Sequence, residues 1–276
     1  MGTGTIGRLG LGSYAFRWSI GIGDRVPAVP MTALEVIDAA ADRGLALVQF
    51  ADNLPLHRLD DTELDALAAR ARERGVALEV GQQGSDMALL DAYLDIARRL
   101  DAPLVRLALD VADADVPQEE LVAGFRAALP KAEAAGVTLA IENHFGFPSD
   151  RLAALVEAIG SARVGVCVDV ANSICAGEWP EATVERLAPH AVNLHLKDYD
   201  IVPDPHGVGF RVLGTPLGDG RTDIDWVLGQ MTRSGREINV VLEHWLPGDA
   251  EAGTLAARER EWLDRTVACA RRHVAR

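Results

Sequence analysis

Four apolar runs in this 276-residue chain each end on an acid or an imidazole. VTLAIENH stops at Glu142, Asn143 and His144, and VGVCVD stops at Asp169. AVNLHLKD carries His195, Lys197 and Asp198, and INVVLEH stops at Glu243 and His244. If these runs are neighbouring parallel strands of a barrel, their carboxyl ends open on one face. Glu142, Asp169, His195 and Glu243 would then converge on one divalent ion. Oxygen donors suit hard divalent cations, and an imidazole adds affinity for transition metals. Mn2+ is the first candidate, and Mg2+, Co2+ and Zn2+ share the same ligands. No thiol joins the set. Cys167, Cys175 and Cys269 are odd in number, and no pair has metal-ligand spacing. Cys167 lies inside an apolar strand and reads as a small core residue.

Such donors need a scaffold that holds each one at a strand end. The chain supplies a repeating strand–helix unit. Strands are expected at 9–16, 45–50, 76–81, 103–109, 137–143, 163–169, 191–197 and 238–244. Helices are expected from Thr32 to about Arg43, and at 60–74, 86–100, 117–135, 149–159, 180–188, 223–234 and 251–273. Thr32 with Glu35 three residues on is a capping box. Gly44, Gly75 and Gly136 are the stops. Strands alternating with helices imply parallel βαβ units. Eight of them in a chain of this length predict a single-domain (β/α)8 barrel over residues 1–276, a fold that takes roughly 250 residues. A doubly wound sheet is the competing architecture, but the first strand is not followed by a G-x-G-x-x-G phosphate turn. The glycine-rich GTGTIGRLGLG start is expected to be flexible. Residues 17–30 and 199–221 read as long irregular loops on the open face, where lids and pocket walls form.

Composition narrows the partners. Hydrophobic residues make up 49% and charged residues 25%, which is ordinary for a large-cored globular protein. The formal charge of −14 argues against nucleic acid and anionic membranes, which require a basic footprint. No apolar run approaches the roughly 20 residues that cross a bilayer. The N-terminus lacks a basic stretch followed by an apolar one, so a cytoplasmic location is expected. Trp179 is a candidate contact for a homo-oligomer.

The runs IEN at Glu142, CVDVAN at Asp169, HLKD at His195 and LEH at Glu243 resemble the xylose-isomerase-like TIM barrels, the broad group of sugar phosphate isomerases and epimerases. PLGDG at 216–220, followed by Asp223, is similar as well, and the resemblance covers nearly the whole chain. It implies that Glu142, Asp169, His195 and Glu243 bind one divalent metal. It implies further that Glu142 and Glu243 form an acid/base pair, one removing the proton beside a carbonyl of a small carbohydrate and the other returning it. The implied activity is isomerisation or epimerisation of a sugar or sugar derivative through an enediolate. Ketose 3-epimerases of the group carry a histidine three residues after the aspartate, a second glutamate six after the first, and an arginine six after the metal histidine. Here those positions hold Asn172, Pro148 and Ile201. ENHFGF and HLKDY are closer to a branch that includes sugar-acid enzymes of the 3-oxo-isoapionate decarboxylase type. The alternative is therefore a metal-dependent lyase, decarboxylase or dehydratase, acting on a keto sugar acid.

Several residues are candidates to meet the substrate. His144 and Asn143 flank Glu142 and either face substrate oxygens or support the ligands. Asn172 takes the position of an epimerase substrate contact. Lys197 is two residues past His195 and points to the same side if the strand continues. It would bind a carboxylate, stabilise an oxyanion, or pair with Asp198 or another acid. Arg106, inside an apolar strand, either holds a substrate carboxylate or pairs with Glu79, because an unpaired buried charge is costly. Arg211 in the long loop is a candidate clamp for an anionic substrate. Tyr14, Phe16 and Trp18 either wall the pocket or fill the core. His57 and His206 sit on loops after the second and seventh strands, and His244 is expected to be structural. Two further classes fit less well. An abasic-site endonuclease on the same barrel needs a histidine-rich three-zinc cluster and a basic groove. A non-catalytic sugar-binding subunit needs no acid/base pair.

Overall fold

A computed structural model describes residues 4–248 and 251–274. Eight parallel strands close into a barrel. They are β1 (Thr5–Gly12), β2 (Leu47–Phe50), β3 (Ala77–Gln83), β4 (Leu104–Leu109), β5 (Thr138–Asn143), β6 (Val164–Asp169), β7 (Ala191–Leu196) and, after a two-stranded excursion, β10 (Glu237–Leu242). The order around the barrel is β1-β10-β7-β6-β5-β4-β3-β2, so each strand pairs with its neighbours in sequence and β1 closes on β10. The strands are short and, apart from the first five residues of β1, mostly buried, as expected where side chains fill a barrel and helices cover its outside.

The covering helices are α2 (Ala33–Asp42), α3 (Asp61–Arg74), α4 (Met87–Leu100), α6 (Gln118–Ala135), α7 (Ser149–Ile159), α8 (Pro180–Leu187), α9 (Ile224–Met231) and α10 (Ala252–Val274). Two single-turn helices, α1 (Arg17–Ile20) and α5 (Val111–Ala114), follow β1 and β4. The caps are those the sequence predicts. Thr32 and Glu35 exchange both bonds of a capping box, and Gly75 ends α3 at φ +68°. In α4 the stripe of Leu90, Leu94, Ala97 and Leu100 is buried against the barrel, while Met87 is only partly covered.

Three expectations about the irregular parts need correction. The first strand runs over Thr5–Gly12, not over 9–16, and residues 13–16 form a 3-10 turn. The glycine-rich start is thus part of the barrel from Thr5 on. Its glycines are required by close approach. A Cβ on Gly10 would lie 2.4 Å from the Leu47 carbonyl oxygen, and one on Gly7 would lie 2.7 Å from Asn239 Oδ1. Residues 199–221 are not a loop throughout. They hold most of an antiparallel hairpin, β8 (Asp198–Pro203) and β9 (Phe210–Thr215), paired from Asp198↔Thr215 to Pro203↔Phe210.

Asp198, the last residue of HLKD, ties this hairpin to the barrel. Its buried carboxylate accepts from the backbone N–H of Tyr199, Gly218, Gly220 and Thr222, each at 2.9 Å. The PLGDG run is therefore a turn folded around one side chain. Asp198→Ala strands these donors, so a loss of about 2–4 kcal/mol is expected. A thermal melt lowered by roughly 5–10 °C would register it. An unchanged melt would mean that water replaces the carboxylate at no cost.

Candidate active site

Strand register brings the predicted donors into one row. Glu142 on β5 lies opposite Cys167 on β6, and Asp169 at the end of β6 lies opposite His195 on β7. Glu243 follows β10 and extends the ladder through its N–H to the Leu196 carbonyl at 3.2 Å. Gly12 of β1 leaves room for it, since a Cβ there would lie 2.7 Å from Glu243 Oε1. All four side chains are buried at the carboxyl end of the barrel. His195 Nδ1 stands 3.4 Å from Glu142 Oε1, 3.8 Å from Asp169 Oδ2 and 3.7 Å from Glu243 Oε2.

The imidazole is oriented from behind. Gln49 Nε2 donates to Glu79 Oε2 at 2.9 Å and to Asn193 Oδ1 at 3.2 Å. Its amide oxygen therefore faces His195 Nε2, 2.6 Å away. An amide oxygen only accepts, so the network assigns the proton to Nε2. Nδ1 is left toward the carboxylates, buried and without a hydrogen-bond partner, as is Glu243 Oε1. Glu79 also accepts from Asn193 Nδ2 and Asn239 Nδ2. Burial pushes its carboxyl up, against these donors.

The cluster suits a divalent ion. Ligand atoms of Asp169, His195 and Glu243 lie within 4.8 Å of one another, and Glu142 Oε1 approaches the same imidazole nitrogen. Orphaned buried atoms point inward, and the donor chemistry is oxygen plus one imidazole. Cys167 lies within the same reach of Glu142 and His195. Its thiol donates to Asn193 Oδ1 at 3.4 Å, burial pushes it up to about 11, and the residue is fully buried among the strands.

Two cations are built into the cluster. Arg106 Nε pairs with Glu142 Oε2, and its Nη1 lies 3.3 Å from Asp52 Oδ1. The partner is not Glu79, as one sequence alternative had it. Burial opposes ionisation of Glu142, but Arg106 holds its carboxyl well below the usual range. Gly81, opposite Arg106 on β3, makes space for this side chain, since a Cβ there would lie 3.0 Å from Arg106 Cδ. Lys197 Nζ sits 2.6 Å from Asp169 Oδ2 and 2.9 Å from Glu243 Oε2, and lies 5.1 Å from the centre of the Trp245 ring. Asp198 is not its partner. Lys197 thus supplies positive charge where the carboxylates crowd.

The asparagines position Glu142 and Asp169. Asn143 Nδ2 donates to the Asp169 carbonyl at 2.8 Å, and its Oδ1 accepts the Asp169 N–H at 2.8 Å, locking β5 to β6. Asn172 Nδ2 donates to Glu142 Oε1 at 2.8 Å, and its N–H donates to Asp169 Oδ1 at 2.8 Å. Asn172 therefore touches Glu142 and Asp169 as well as the cavity.

A cavity of about 240 Å³ opens onto the cluster, enough for one small polar molecule. Glu142, Glu243, Arg106, Asn172, Lys197 and His144 all face it. Tyr14 is the one of the three early aromatics that lines it, with its hydroxyl donating to Asp52 Oδ2 at 2.8 Å. Phe16 is core, and Trp18 packs against the backbone of Leu246. Arg211 is not among the lining residues. It lies on the hairpin, half-exposed, with Nε 3.6 Å from Asp204 Oδ2. His57 approaches Tyr93 instead, and His206 is exposed at the hairpin turn. His244 faces the cavity as well as Trp262 of α10, so it is not purely structural in placement.

Sequence reasoning missed Arg17, Asp52 and the Gln49–Glu79–Asn193 network. The network was signalled, because each member is a polar residue inside an apolar strand and had to be satisfied there. Arg17 and Asp52 carry no such signal, being charged residues in connecting segments.

Residues 37–266 match the family described as xylose isomerase-like TIM barrel. A 3-oxo-isoapionate decarboxylase from Pectobacterium atrosepticum is 33% identical over 254 residues, 92% of this chain and 91% of that protein. Among solved structures, a xylose isomerase-like TIM barrel protein from Mycobacterium smegmatis in complex with magnesium superposes with a TM-score of 0.70 at 17% identity, over 95% of this chain and 97% of that one. A D-psicose 3-epimerase in the presence of D-fructose gives 0.69 at 16% identity, over 98% and 100%. These two share the fold. No helix among the described residues is long and apolar enough to cross a membrane. A profile match over most of the chain, a relative one-third identical over nine-tenths of it, and the closed eight-strand barrel agree: the chain belongs to the xylose isomerase-like TIM barrel family.

Proposed function

We propose that this protein is a metal-dependent lyase that removes CO2 from a small keto sugar acid through an enediolate. The observation that carries this reading is the pairing of both glutamates with fixed cations, Glu142 with Arg106 and Glu243 with Lys197. Two-sided proton exchange, as in epimerisation, needs two carboxylates free to gain and lose a proton beside the carbon. Carboxylates held by a guanidinium and an ammonium serve better as ligands and as a frame for developing negative charge. Likeness to the 3-oxo-isoapionate decarboxylase supports the same choice. So do Asn172, Pro148 and Ile201 at the positions of the epimerase contacts. Pro148 caps α7 and Ile201 lies in the hairpin.

Glu142, Asp169, His195 and Glu243 would hold the divalent ion, with Mn2+ the first candidate. A bound ion would supply Lewis-acid polarisation of the keto oxygen. Lys197 presents an ammonium beside the cluster, where an oxyanion develops. The bond between the carboxylate and its carbon breaks, and the electron pair enters the keto group to give the enediolate. CO2 leaves. Lys197 Nζ then gives a proton to the carbon and recovers one from solvent. Phe145 and Trp245, with ring centres 6.1 Å apart, form an apolar wall that limits water near the carbanionic carbon.

Isomerisation or epimerisation is the second reading. It is favoured by Glu142 and Glu243 both flanking the His195 nitrogen. Product mass separates the two, because isomerisation conserves mass and decarboxylation does not. Purified protein is expected to carry about one divalent ion per chain by elemental analysis, and chelation should lower its melt. Incubated with 3-oxo sugar acids, the metal-loaded protein is expected to release CO2 in step with a product lighter by the mass of CO2. A product of unchanged mass would replace this reading with the second. No ion, and no stabilisation by any added divalent cation, would remove both.

A further inference from the structure

Arg17 is the cavity-lining cation that the cluster does not use. Arg106 is ion-paired with Glu142 and Asp52, and Lys197 with Asp169 and Glu243. Among the described residues, no carboxylate lies within ion-pair distance of the Arg17 guanidinium. Its Nε is buried and lacks a hydrogen-bond partner. Burial lowers its pKa, against the fields of Tyr14, Glu259 and Glu243, whereas Arg106 and Lys197 are raised overall by their partners. An arginine left in this state within a polar cavity is a donor waiting for an acceptor.

The residue is also held in place. It opens the single-turn helix α1, whose backbone is clamped from outside the barrel by Glu259 of α10. That fully buried carboxylate accepts from Ser19 N at 2.9 Å and Ser19 Oγ at 2.6 Å, and also from Trp18 N. Trp18 Nε1 donates to the Leu246 carbonyl at 2.9 Å, and the Arg17 guanidinium packs over the Trp18 ring at 5.0 Å. The side chain is thus pre-oriented on a fixed aromatic face without being neutralised.

We propose that Arg17 binds the carboxylate of the substrate, so that the cavity selects a monoanionic sugar acid over a neutral sugar or a sugar phosphate. One guanidinium fork matches one carboxylate in two parallel bonds. A dianionic phosphate has more acceptor oxygens than one guanidinium fork can satisfy. The placement also gives direction. Glu142, Asp169 and Glu243 repel an anion, so a carboxylate drawn to Arg17 leaves the keto and hydroxyl oxygens to face the cluster. The inference rests on the reading of this cavity as the substrate site, but not on which bond is broken there.

The test is calorimetric titration of the full chain, with and without Mn2+, using D-erythronate, erythritol and glycerol 3-phosphate as probes. Wild type is expected to bind erythronate at least about 10-fold more tightly than the other two. Arg17→Ala should weaken erythronate by roughly 10- to 100-fold and leave erythritol unchanged, and Arg17→Lys should recover part of the loss. The melt of Arg17→Ala should match wild type, since no ion pair is removed. Erythronate affinity within about 2-fold of wild type in Arg17→Ala would overturn the proposal. So would equal binding of erythritol or the phosphate by wild type, absent erythronate binding, or a parallel loss of melt and of erythritol binding. Arg17-dependent erythronate binding without CO2 release from any keto acid would sink the lyase reading alone. CO2 release with an unchanged KM in Arg17→Ala would sink this one alone.

Discussion

Glu243→Gln and Glu142→Gln are each expected to lower turnover by on the order of 10³-fold while the barrel stays folded. Glutamine keeps the shape of the side chain and removes its charge. At position 243 the change takes one anionic donor from beside His195 Nδ1 and one of the two carboxylates that Lys197 bridges. At position 142 it leaves Arg106 with Asp52 alone, 3.3 Å away, and replaces the acceptor of the Asn172 amide. Ion content should fall below one per chain in both variants, and far-ultraviolet circular dichroism should match wild type. Near-native turnover in either variant with a full complement of ion would show that the two carboxylates are not needed as a pair.

Lys197→Met has the second large effect, and it has two parts that separate. Methionine keeps an unbranched apolar stem but removes the ammonium, so Asp169 and Glu243 face each other buried without their counter-ion. Removing one partner of a buried charge cluster costs roughly 3–5 kcal/mol, so the chelated variant should melt well below chelated wild type. A divalent ion supplies the missing charge, and saturating Mn2+ should bring the melt back toward wild type. Turnover should not return with it. A loss of about 10²- to 10⁴-fold is expected in the metal-loaded variant, the range for a lost proton donor. Recovery of turnover together with stability would reduce Lys197 to a counter-charge. A chelated variant as stable as chelated wild type would mean that Asp169 or Glu243 is protonated in the ion-free protein.

Much of this architecture is written in local patterns. Apolar runs such as VTLAIEN and VGVCVD become strands because each is short, apolar and bounded by turn residues. The Thr32–Glu35 capping box and the glycine that stops α3 are contacts between residues a few positions apart. Strand number then forces closure, and closure puts the ends of β5, β6, β7 and β10 on one face. The row of Glu142, Asp169, His195 and Glu243 follows from that alone, without knowledge of any distance.

Charge pairing is of another kind. Arg106 chose Glu142 and Asp52 over Glu79 because of the direction its side chain takes past Gly81, and because three amides already satisfy Glu79. Lys197 chose Asp169 and Glu243 over its neighbour Asp198, whose carboxylate is spent on the backbone of a turn some 20 residues ahead. The glycine-rich start looked flexible because glycine carries no pattern, yet its lack of a side chain is what lets β1 press against β2 and β10. The hairpin of β8 and β9 was hidden because its faces are half-exposed and show no clean alternation. Arg17 was one charge in a connecting segment until Glu259, 242 positions away, fixed its helix beside the cavity. Periodicity and caps act over one or two turns of chain, so the sequence by itself determined the barrel and its row of strand-end acids and imidazole. The partner of a buried charge depends on side chains that only closure of the barrel brings together, and that was decided in three dimensions.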